Sequence, residues 1–155
     1  MIITEEMVRE ALRLVDPTVR AILNIPSANW GPQWVDGFIS VPGVETDIPF
    51  QLGIVTPWNP AWGREMNFKD VALAKLSLAK RTGECTSLIV AAHPWQIPDG
   101  EYLYSGGASR LSISVGVSGA KGRVDEAIAN IIIDAIIMLA QLEADHRIAE
   151  HEMQI

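Results

Sequence analysis

Cysteine is nearly absent: Cys85 stands alone among 155 residues, so no internal disulfide can form. None is needed at this length, because a chain of ~150 residues buries about 70% of its unfolded surface. A single thiol favours a reducing compartment. Basic charge is also scarce. Twelve Lys+Arg face nineteen Asp+Glu, for a net charge of −7. That balance gives no electrostatic reason to expect nucleic acid or an anionic membrane as partner. The opening Met1-Ile2-Ile3-Thr4-Glu5-Glu6 has neither a basic n-region nor a long apolar run, so no secretory signal is expected. The most apolar stretch, 127–142, is interrupted by Asn130, Asp134 and Gln141, which argues against a membrane span. A cytoplasmic, soluble, single-domain protein over 1–155 is the expectation.

What is present is apolar periodicity. Thr4 reads as an N-cap, with Glu5 and Glu6 in the first helical turn. Met7, Val8, Ala11, Leu12 and Val15 follow at helical spacing. Asp16-Pro17 has the form of a second helix start, so residues up to Leu23 form one kinked helix or two short ones. The stretch from Asn24 to Pro49 is rich in proline and glycine and reads as loop, with one strand near 34–41. Residues 50–55 read as a strand and 58–63 as a turn. A helix over about 67–81 has Phe68, Val71, Ala72, Leu76 and Ala79 on its apolar face. Lys69, Lys75, Lys80 and Arg81 form its expected basic, exposed side, and Gly83 stops it.

The apolar run 87–92 has strand length, and His93-Pro94 ends it. Asp99-Gly100 signals a turn, and Tyr102 and Tyr104 share one face of a short strand. Leu111, Ile113, Val115 and Val117 alternate strictly and should all face the core. A last helix runs from Val124 or Asp125 to about His146, and the polar tail 147–155 is expected to fray. Short turns between the later strands imply antiparallel pairing, hence an α+β fold with helices packed on an antiparallel sheet. The sheet is expected to contain both 86–92 and 110–118.

Two blocks carry a family resemblance. One is the alanine-spaced helix from Phe68 through Lys75 to Gly83. The other runs from Gly106-Gly107 through Ser114-Val-Gly116-Val117-Ser118-Gly119-Ala120 to Asp125-Glu-Ala-Ile-Ala129. Their pattern and order resemble the GlcG/HbpS family, which includes haem-binding proteins and the C-terminal domain of PduO-type cobalamin enzymes. The resemblance covers roughly the second half of the chain. It implies a profilin-like antiparallel sheet flanked by helices, homo-oligomers, and a pocket that binds haem in some members. The proline- and tryptophan-rich stretch from Pro26 to Trp62 departs from the family's pattern.

Candidate site residues come from chemistry and position. His93, beside Pro94-Trp95, has three readings: a haem-iron ligand, an acid–base group, or a loop histidine bonded to backbone. His146 and His151 are five apart and make no metal pair. Five of the ten aromatics are Trp, all between Trp30 and Trp95. Trp58, Trp62 and Trp95, with Tyr104, are candidates to wall a pocket for a flat ligand. The same rings could equally anchor an interface or plug the sheet ends. Gly106, Gly107, Ser118, Gly119 and Lys121 offer backbone amides and polar groups able to cradle a carboxylate or phosphate, against a plain tight-turn reading.

The functional expectation is therefore a small-molecule-binding protein for a planar, anionic ligand, with haem as the family-implied cofactor. Two rivals stand beside it. One is a small enzyme for an aromatic or hydroxy acid, with His93 as acid–base group and Arg110 or the glycine loop holding the carboxylate. The other is a ligand-free assembly module. Ile128, Ile131, Ile132, Ile133, Ile136 and Ile137 nearly encircle the last helix, so a second subunit is expected to cover part of it, giving at least a dimer.

Overall fold

Helix α1 (Glu5–Leu23) starts where the capping signal lies, with Thr4 Oγ1 accepting the Met7 N–H at 3.2 Å. The computed structural model describes residues 1–97 and 105–153. Pro17 sits inside α1, which is one helix. Asp16 does not start a second one. Its Oδ1 accepts the Gly53 N–H at 2.8 Å and its Oδ2 the Arg20 Nε–H at 2.8 Å, tying α1 to the sheet.

Four strands follow: β1 (Trp34–Ser40), β2 (Ile48–Gly53), β3 (Gly107–Arg110) and β4 (Ile113–Ser118). They form one sheet in the order β2-β1-β4-β3, every pair antiparallel. Helices lie on both faces, α2 (Phe68–Thr82) on one and α1 with α4 (Gly122–Met153) on the other. The fold is α+β, as the sequence indicates.

The two faces differ in chemistry because side chains alternate along a strand. Val35, Ile39, Ile48, Leu52, Ile113, Val115 and Val117 form the apolar face, which buries against α1 and α4. The other face carries Trp34, Asp36, Ser40, Ser109, Ser114, Gly116 and Ser118. Its small residues let α2 lie almost on the strands. A methyl group added at Gly116 would meet the Ala72 carbonyl oxygen, and the Leu76 backbone nitrogen at 2.5 Å.

Three expectations about elements are corrected. Residues Thr86–Ala92 form a short helix, α3, not a strand. An apolar run of that length suits either element, and the deciding partner is remote. Glu126 of α4 accepts the Ser87 N–H at 2.8 Å and the Ser87 and Thr86 hydroxyls, placing a carboxylate at the N-terminus of α3. The tail is also more ordered than expected, since α4 continues to Met153 with Arg147 Nε bonded to Glu143 at 2.9 Å. The Tyr102–Tyr104 strand lies outside the described residues.

The third correction concerns Leu111, which is 65% exposed instead of facing the core. Leu111 and Ser112 form the two-residue β3–β4 turn with φ of 51° and 62°. Both are left-handed positions that favour Asn and Gly. The double substitution Leu111→Asn, Ser112→Gly is expected to stabilise the chain by about 1 kcal/mol, a rise in Tm of about 3 °C. Thermal unfolding followed by circular dichroism checks this, and a lower Tm would contradict it.

Helix α4 is long and apolar enough, by length and composition alone, to cross a bilayer. In this fold Ile128, Ile132, Ile133 and Ile136 are fully buried against the sheet and α1. The chain therefore covers these four residues itself, while Ile131, Ile137 and Leu139 are only partly buried. Met138 and Leu142 remain exposed.

Candidate ligand site

The Trp-rich segments converge on one residue. Phe68, the first residue of α2, has ring centroids of Trp30, Trp34 and Trp58 at 5.9, 6.0 and 5.9 Å. Trp62 joins through Trp58 at 5.3 Å and Trp34 at 5.9 Å. The geometries are tilted or edge-on, which the ring quadrupoles favour. Local bonds set the loops. Asn29 Oδ1 accepts the Gly31 N–H at 2.9 Å, and Asn59 caps the turn Pro60–Trp62 through the Ala61 N–H at 3.0 Å. Trp58 Nε1 donates to the Gly63 carbonyl at 3.0 Å. Gly31 has no side chain because the Trp62 indole occupies that space.

Two hollows adjoin this cluster, and Met66 and Phe68 line both. The larger, of about 600 Å³, lies over the polar face of the sheet between Trp34, Asp36, Gln51, Trp58, Asn67 and Phe68. The smaller, of about 200 Å³, is bounded by Trp30, Phe68, Val71, Lys75, Ser118 and Asp125.

Lys75 and Asp125 form an ion pair deep beside the smaller hollow. Their side chains are only 4% and 2% exposed. Lys75 Nζ donates to the Val117 carbonyl at 2.9 Å and to Asp125 Oδ2 at 3.2 Å. Asp125 Oδ1 accepts the Ala120 N–H at 2.9 Å, and the Gly119 backbone amide also helps to hold its charge. Burial pushes its carboxyl up to about 7, against the pull of Lys75 and the two backbone amides. The same burial pushes the Lys75 ammonium down, opposed by Asp125. The pair ties α2 to the β4–α4 turn. It also fills the anion cradle expected at Gly119 and Ala120 with the chain's own carboxylate, which leaves the glycine segment as a tight turn with Gly119 at φ 142°.

The exposed basic side expected for α2 is therefore corrected at Lys75. Sequence reasoning counted that lysine by its place on the helix and missed the pair. The signal was present in the two resembling blocks, which carry Lys75 and Asp125 respectively. Of the other candidates, Trp58 lines the larger hollow, and Ser118 and Gly119 line the smaller one. Trp62 backs the cluster, and Lys121 is exposed. Gly106 and Gly107 serve packing. A Cβ at Gly106 would sit 2.5 Å from Lys75 Nζ, and one at Gly107 would sit 2.7 Å from the Lys75 carbonyl oxygen. Arg110 bonds Asp134 of α4 at 2.7 Å, away from the hollows. Tyr104 lies outside the described residues.

His93 and Trp95 stand apart from this group. His93 ends α3, and its ring meets Trp95 at 5.2 Å. It shares a surface hollow with Arg81, Thr82, Glu84 and Gln96, at the C-terminal end of α2. Phe68 and the other tryptophans are at the N-terminal end, about 20 Å away along a helix of fifteen residues.

Comparison with known proteins gives a structural likeness alone. No protein-family model matches the chain, and no curated protein is similar to it. Among solved structures, the crystal structure of Klebsiella pneumoniae protein ORFY, a DUF336 protein, is similar with a TM-score of 0.49 and 16% identity. The match covers 84% of this chain and 86% of that one.

The residues do not fit a haem held by His93 in a tryptophan-walled pocket. A macrocycle on His93 would lie among Arg81, Thr82, Glu84 and Gln96, with Trp95 as its aromatic neighbour, and Trp95 is 74% exposed. The tryptophan cleft, for its part, has no histidine, cysteine or tyrosine among its described lining residues. Met66 is there, but methionine serves haem iron alongside histidine.

Proposed function

We propose that this chain is a cytoplasmic small-molecule-binding protein of the GlcG/HbpS type, and that its ligand is a flat organic molecule bound between Trp34, Trp58 and Phe68. The observation that supports this reading is the convergence of three tryptophans on Phe68, with Trp62 packed behind Trp34 and Trp58, beside a hollow of about 600 Å³. Rings from three separate segments meet at one end of α2. A cleft of this size, with aromatic walls and a few polar groups at its floor, is suited to a small ligand.

Tryptophan emission is the natural reporter. Titration with a series of phenyl and naphthyl compounds is expected to quench it saturably. Trp58→Leu is expected to weaken binding about tenfold, the order of one lost aromatic contact. Haemin belongs in the same series. If it binds, His93→Ala is expected to leave its absorption spectrum unchanged. Emission that no aryl compound alters, or a Soret band that disappears with His93, would overturn the reading.

A further inference from the structure

One acidic side chain bordering the cleft is left without a hydrogen-bond partner among the described residues. Asp36 lies in the middle of the central strand β1 and is 5% exposed. Its Oδ1 is fully buried and accepts no hydrogen bond among the described residues. The neighbours across the sheet are Gln51 on β2 and Ser118 on β4, the nearest donors by register. Neither donates to it. A buried acceptor with no donor is costly, and native chains keep few of them. Asp36 borders the same hollow that Trp34, Trp58 and Phe68 wall, and neither of its carboxylate oxygens accepts a hydrogen bond among the described residues.

Acids outnumber bases around it among the described lining residues. Glu65 also lines the hollow, and Lys69 is the cationic side chain in its lining. No ion pair joins either of them to Asp36 among the described residues. A carboxylate bordering a hollow walled by aromatic rings is complementary to a cation bearing N–H groups. The ammonium would donate to the Asp36 carboxylate as a charge-assisted bond, and the ring faces would attract its charge. The net charge of −7 acts in the same direction at longer range.

We infer that the cleft selects a ligand with a protonated amine attached to a flat or apolar body, the amine bonding Asp36 and the body lying against Trp58 and Phe68. This rests on the tryptophan cleft being the binding site, and it replaces the anionic ligand expected from the sequence with a cationic one.

The test uses the full chain, isothermal titration calorimetry, and two probes of matched shape, 2-phenylethylamine and 3-phenylpropanoate. The amine is expected to bind at least tenfold more tightly, and Asp36→Asn is expected to abolish that preference. Circular dichroism and the melting temperature confirm that the variant is folded. The comparison of the two probes on the unaltered chain stands even if the variant fails to fold. Equal binding of both probes, or tighter binding of the carboxylate, would overturn the inference and leave the cleft reading intact. Failure of both probes to bind at millimolar concentration would overturn the two together.

Discussion

Replacing Lys75 with methionine is expected to destabilise the chain by about 3–5 kcal/mol at pH 8, the cost of leaving one buried charge without its partner. Methionine nearly preserves the length and apolar stem of lysine, so the loss reports the charge and not a cavity. The pH dependence separates this account from simple packing damage. In the folded chain burial already raises the Asp125 carboxyl to about 7, well above the ordinary carboxylate range it has when unfolded. The folded state therefore binds a proton that the unfolded state has released, and stability from this group falls as pH rises through that window. Without Lys75 the carboxyl sits higher still, so the penalty should shrink as the pH is lowered towards 7, where the variant's carboxyl is protonated before the original chain's, and level off below it, where both are protonated. Urea unfolding at pH 8 and pH 5.5 measures it. A second change, Asp125→Leu on top of Lys75→Met, should recover most of the loss, because an apolar pair of similar volume often matches a buried ion pair. A penalty that is equal at both pH values would refute the explanation.

Gly116→Ala is expected to cost about 2–3 kcal/mol, although in an open strand the same change gains about 0.5–1 kcal/mol. The sign is the test. Gly116 does not have a left-handed φ, so alanine's backbone preferences are not at issue. The added methyl would meet α2 backbone at Ala72 and Leu76, with the Leu76 nitrogen at 2.5 Å. Backbone cannot swing aside as a side chain can, so α2 must lift from the sheet. Lifting it also moves Phe68 and Lys75, one at the tryptophan cluster and one in the buried pair. The variant should therefore lose the Trp58-dependent quenching along with stability. Chemical denaturation gives the energy and emission gives the second readout. An alanine variant that is as stable as the original chain would show that the contact is not tight.

The elements that were legible in the sequence are those whose partners are local. Thr4 caps its own helix, Gly83 ends α2 in the left-handed region at φ 73°, and Ile113, Val115 and Val117 alternate into the core. The failures share a remote cause. Residues 86–92 are helical because Glu126, some forty positions away, caps them. Lys75 is buried because a row of glycines on two strands brings α2 onto the sheet, and no helical wheel contains those strands. Alternation carried Leu111 one residue too far, since neither Leu111 nor Ser112 is of a type that announces a left-handed turn. The site was half legible. The unusual tryptophan content marked the loops, but the meeting of three tryptophans on Phe68, with Trp62 behind them, appears only when three segments are assembled. Asp36 gave one faint signal, an acid within a strand, where acids are depleted. That its oxygen lacks a donor depends on Gln51 and Ser118, its neighbours across the sheet.

The length of α4 has a consequence for how the chain travels in solution. Thirty-two helical residues extend about 48 Å, whereas a sphere with the radius of gyration normal for 155 residues is only about 38 Å across. Few residues beyond Ala140 are buried, so the last turns of the helix stand out from the body as a spur. A particle of that outline drags more solvent than its 16.9 kDa would suggest. On a gel-filtration column a single chain should elute early, at a volume calibrated for something heavier, so only a measurement of mass itself, by light scattering or sedimentation equilibrium, tells one chain from two.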